Sequence, residues 1–86
     1  MTRELYNKVC EIRWLIVDEK AKKCNLTKQQ TEDAHSMVEA IYGSRDGHID
    51  WEFITDIVCQ WLEELGDYEV KEGDVDKVAD IVDFER

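Results

Sequence analysis

Two histidines, three cysteines and a surplus of carboxylates are the side chains of this 86-residue sequence that could do chemistry. Cys24, His35, His48 and Cys59 would make a zinc set if they converged, but their spacings of eleven, thirteen and eleven residues match no common finger pattern. A nucleophile formed by Cys10 or Cys59 with either histidine has no signature around it. Both cysteines lie on apolar helical stripes, where a thiolate is disfavoured. No phosphate-cradling glycine loop and no Ser/His/Asp arrangement is legible. Carboxylate pairs are plentiful, yet on an open polar face they lack the apolar burial that raises one partner's pKa for general acid work. The sequence therefore predicts no catalytic residues, no cofactor and no enzyme.

The stretch Asp46-Gly47-His48-Ile49-Asp50, set between two amphipathic segments, resembles the middle of an EF-hand calcium loop. Asp46, Gly47, Ile49 and Asp50 fit loop positions five, six, eight and nine. The ends depart from that pattern: Tyr42, Ser44 and Phe53 fall at positions one, three and twelve, and Glu52 comes one residue early. Calcium takes six to eight oxygens, so losing the terminal carboxylates removes most of the cage. The same letters have a metal-free reading, in which Gly47 permits a turn, Ile49 staples and Asp50 caps the next helix.

Four elements must position these groups. The chain has no proline, and Gly43, Gly47, Gly66 and Gly73 punctuate the apolar periodicity, so helices joined by glycine-bearing turns are expected. Residues 3–24 form a first helix with an apolar stripe of Leu5, Val9, Ile12 and Ile16, widened by Cys10, Trp14, Leu15, Val17 and Ala21. Thr27 and Gln30 make a capping box for a second helix running to Gly43, with Ala34, Met37, Val38 and Ile41 inward. Asp50 caps a third helix whose Ile54, Ile57, Val58, Trp61, Leu62 and Leu65 lead to Gly66 as C-cap. Asp74 is expected to cap a last helix with Val75, Val78, Ile81 and Val82 inward. The fold class is all-α: one domain over residues 1–86, a small bundle of about four helices. With three unpatterned cysteines, Cys10, Cys24 and Cys59, and no apolar run of membrane-spanning length, a soluble, cytoplasmic protein with reduced thiols is expected.

Charge is lopsided. Residues 1–43 hold seven basic and seven acidic residues, whereas residues 44–86 hold four basic and fourteen acidic, so the whole net charge of −10 lies in the second half. In the first helix Glu4 and Lys8, Asp18 and Lys22, and Glu19 and Lys23 stand acid-before-base at i, i+4. From Asp46 through Val70 there is no Lys or Arg. Glu52 and Asp56, continued by Glu63 and Asp67, form one acidic ridge, and Asp76, Asp80 and Asp83 form another. Carboxylates one turn apart are separated by about 5 to 6 Å, of the same order as phosphates along a nucleic-acid strand. In composition and size the chain is similar to phage-encoded nucleic-acid mimics that occupy the DNA channels of restriction, repair or CRISPR enzymes.

That likeness implies an inhibitor or regulator of a basic protein, a nucleic-acid-handling enzyme, with Trp51 beside Glu52 and Asp56 as an aromatic anchor. Tyr6, Tyr42 and Tyr68 offer further amphipathic surface, and Trp61 belongs to the core. Direct nucleic-acid binding is disfavoured because the nearest basic group, Lys20, Lys22, Lys23 and Lys28, is interleaved with acids and lacks stacking aromatics. The other reading is a structural or adaptor module whose acidity serves solubility, oligomeric through surplus apolar surface on the third helix.

Overall fold

Each amphipathic segment becomes a helix bounded by its own stop signal. The computed structural model describes residues 3–86 except for the side chains of Tyr6 and Asn7, so the surface role expected of Tyr6 lies outside the described residues. Helix α1 spans Arg3–Lys23, α2 Lys28–Ser44, α3 Trp51–Leu65 and α4 Glu72–Glu85. No strand occurs among the described residues, and the fold is a small all-α bundle.

Two helices end in the same way. At the end of α2, Asp46 takes a left-handed φ of 53°, and the Asp46 and Gly47 N–H groups return to the Gly43 and Tyr42 carbonyls at 3.1 and 3.0 Å. Asn25, with φ 55°, and Leu26 do the same for α1 against Lys22 and Ala21. This Schellman arrangement satisfies carbonyls that a terminus leaves bare. It explains Asp46-Gly47 without a metal: Asp46 is the left-handed residue, and a Cβ at Gly47 would come within 3.2 Å of the Tyr42 hydroxyl. The capping box of α2 is present, with Thr27 Oγ1 accepting from the Gln30 N–H at 3.1 Å and Gln30 Oε1 from the Thr27 N–H at 2.9 Å. Asp50 caps α3 by accepting from the Glu52 N–H at 3.2 Å.

Helix α3 touches all three others, whereas α1 and α4 do not touch among the described residues. Trp51, Ile54, Thr55, Val58, Cys59 and Leu62 are buried on α3, facing Ala34, Met37, Val38 and Ile41 of α2. Polar contacts set the directions. Arg13 and Lys20 reach Trp51 and Asp56, so α1 runs parallel to α3; Asp18 and Arg13 reach His35 and Tyr42, so it runs antiparallel to α2.

The inward faces of α1 and α4 differ from expectation. On α1 the buried residues are Val17 and Ala21, while Ile12 and Leu15 are each 58 % exposed and Leu5 and Trp14 about half exposed. Because Arg13 lies beside the first residue of α3, the turns before it project past the start of that helix. Nor do the i, i+4 pairs form: Asp18 turns to His35 at 2.7 Å, and Glu4, Lys8, Glu19, Lys22 and Lys23 make no ion pair among the described residues. On α4, Val78, Ala79 and Val82 are buried while Ile81 is 37 % exposed. The helix starts two residues before Asp74, which is not the cap but reaches back to accept from the Lys71 N–H at 2.8 Å. The surplus apolar surface expected on the third helix is instead on the first.

Gln30 joins two helix ends. While its oxygen caps α2, its Nε2 donates to the Leu62 and Gly66 carbonyls at 3.2 and 2.9 Å, satisfying the C-terminus of α3. Replacing it by alanine takes the side-chain donor away from both carbonyls and is expected to cost about 1 to 2 kcal/mol. Gln30→Glu, which keeps the capping oxygen but loses the donor, is expected to fall nearly as far in urea unfolding; full stability of that variant would show that the tether is idle.

Candidate functional site

The carboxylates singled out in the sequence separate onto two sides of the bundle. Glu52, Asp56 and Glu63 lie along the α1 side of α3. There Lys20 Nζ stands 2.6 Å from Asp56 and 3.7 Å from Glu52, so this ridge carries a cation that counting along α3 alone does not reveal. Those two contacts raise the Lys20 ammonium pKa, Asp56 most strongly. Further along, burial and then the Glu63 carboxylate push the Cys24 thiol up.

Trp51 is not an anchor within that ridge. The residue is only 8 % exposed, its Nε1 donates to the Arg13 carbonyl at 3.0 Å, and its ring meets Tyr42 edge-on at 5.3 Å. The Arg13 guanidinium lies over both rings, 4.7 Å from the Tyr42 centroid and 5.3 Å from that of Trp51, and donates to the Tyr42 hydroxyl at 2.9 Å. Such desolvated cation–π stacking holds elements together. These contacts hold Trp51 inward at the first turn of α3. Among the large side chains that do reach solvent, Tyr68 and Phe84 are 79 % and 89 % exposed.

The second acidic side lies between α2 and α4. Asp76 and Asp80 border a cleft with Ala40, Ser44 and Arg45, and Arg45 grips Asp83 with two bonds, Nη2 to Oδ2 at 2.5 Å and Nε to Oδ1 at 2.9 Å. That guanidinium holds the Asp83 carboxyl below the usual carboxylate range, and Asp80 and Asp76 add to the field that raises Arg45 in turn. At the other end of α2, Asp33 shares a cleft with Asp67, Tyr68 and Glu69. Helix α4 thus runs parallel to α2, and the acidic side extends from the connection to the last turn. Glu72 continues the row at one-turn spacing before Asp76. Asp33, Glu69 and Glu72 were not among the residues expected here; only the parallel docking of α4 on α2 brings them in. Asp67, assigned from the sequence to the α3 ridge, belongs with this second side. Asp67, Glu69, Glu72, Asp76 and Asp80 make no ion pair among the described residues.

The groups weighed for metal or nucleophilic chemistry are dispersed. His48 is exposed on the turn, His35 is held by Asp18, and Cys59 is buried. No cluster of three His, Cys, Asp or Glu suited to a metal occurs among the described residues, and none of their helices is long and apolar enough to cross a membrane. Compared with known proteins, the chain matches no family, no curated protein and no solved structure.

Burial pushes the Cys59 thiol from an ordinary 9.0 up to about 12. The unfolded chain therefore releases this proton first as pH rises, and stability is lost from about pH 9 upward, by on the order of 1 kcal/mol at about pH 10. Urea midpoints at about pH 8 and about pH 10 test this linkage: the wild type is expected to lose more between them than Cys59→Ala, and equal losses would refute it.

Proposed function

We propose that this protein is an acidic binding module that occupies a basic, nucleic-acid-binding surface of a partner protein, using the α2/α4 side. The observation that carries this reading is the row Glu72, Asp76, Asp80 and Asp83, continued by Asp67, Glu69 and Asp33, against which the structure sets Arg45 as counter-charge. Like charges at one-turn spacing lower helix stability slightly, and apart from Asp83, which Arg45 ties to the end of α2, the row makes no ion pair among the described residues that would account for it. Facing a cationic groove, the same row would speed encounter and fix orientation. A row of carboxylates with the rough spacing of phosphates suits a channel built for DNA or RNA, and the module then acts as an inhibitor or regulator of a nucleic-acid-handling enzyme. The other ridge, neutralised in part by Lys20, is secondary.

Capture from host lysate tests this with three baits. The wild type and Glu52→Gln are expected to retain the same DNA- or RNA-handling protein, released by raised salt or competing duplex. Asp76→Lys/Asp80→Lys should retain none of it, since setting like charges against a cationic surface costs on the order of several kcal/mol. Helical circular dichroism of that variant should be unchanged because both side chains are exposed. Equal capture by the reversed variant would leave the acidity with a solubilising role and the protein as a structural or adaptor module.

A further inference from the structure

Helix α1 differs in charge from the rest of the molecule. It holds six basic and four acidic residues, against five basic and seventeen acidic elsewhere. Two copies meeting through almost any other side would set acid against acid, whereas α1 against α1 keeps the acidic sides apart. The outward face of α1 also carries Ile12 and Leu15, each 58 % exposed.

We infer that a second copy of this chain covers that face, in an antiparallel pair of α1 helices about a two-fold axis between Arg13 and Trp14. In this register Ile12 of one copy meets Leu15 of its partner, Lys8 meets Glu19 and Glu4 meets Lys23, and the two-fold repeats every contact. All six side chains lie on one side of a helix with 3.6 residues per turn. The four charged ones make no ion pair within their own chain among the described residues. Asp18, which would otherwise add an unmatched acid at the edge, is held by His35. Two apolar layers flanked by two sets of ion pairs form a small interface, so the dimer is reversible and concentration-dependent. The inference stands apart from what the acidic side binds, and it leaves that side open.

Sedimentation equilibrium over a concentration series tests it. The wild type is expected to move from monomer to dimer, and Leu15→Glu to stay monomeric with unchanged helicity. Lys8→Glu and Glu19→Lys alone should each weaken the dimer about tenfold, because each reversal sets like charges together twice. The double variant K8E/E19K, which recreates the pairing with signs exchanged, should return the dimer toward wild-type strength. A wild type that stays monomeric up to its solubility limit would overturn the inference. So would a dimer indifferent to Leu15→Glu, or a double variant no stronger than the singles.

Discussion

The burial of α3 on three sides is the constraint from which the remaining architecture follows. An element with Ile54, Val58 and Leu62 at no solvent exposure needs a neighbour along each flank, and the short connections leave only α1, α2 and α4 to provide them. Burial of that kind is worth roughly 1.5 to 3 kcal/mol for each large aliphatic side chain, several times what an exposed ion pair contributes. The polar contacts therefore act as locators around this helix: Trp51 and Arg13 at its start, Gln30 at its end, Lys20 along its side.

Local signals were the readable ones. Thr27 with Gln30, Asp50 before Trp51 and Gly66 after Leu65 each determine a boundary within a few residues, so the helices could be placed without knowing how they dock. Rotation about each helix axis was not readable. The stripe of α1 is broad, and whether Ile12 or Val17 turns inward depends on where α3 begins relative to it. Asp74 shows the same limit on a smaller scale, since a carboxylate can cap from the first position or reach back from the third. Trp51 reads from the sequence as a neighbour of Glu52 and Asp56, and the Arg13 carbonyl that claims it lies 38 residues away.

Acidity was readable as a quantity but not as a surface. Counting along one helix finds like charges a turn apart; it does not find Lys20 or Arg45, which arrive from other helices. Nor does it show that α4 docks parallel to α2, the step that joins Asp33 and Glu69 to Asp76 and Asp80. The two ridges read along α3 and α4 lie on two sides of the bundle with different counter-charges, Lys20 on one and Arg45 on the other.

The absence of contact between α1 and α4 among the described residues has an energetic corollary. Free-energy changes at well-separated sites that share no neighbour add with little cross-term. A substitution on the outward side of the first helix and one on the outward side of the last should combine as a plain sum. Each outer helix is in this sense an independent unit of stability, with α2 and α3 as the shared floor between them.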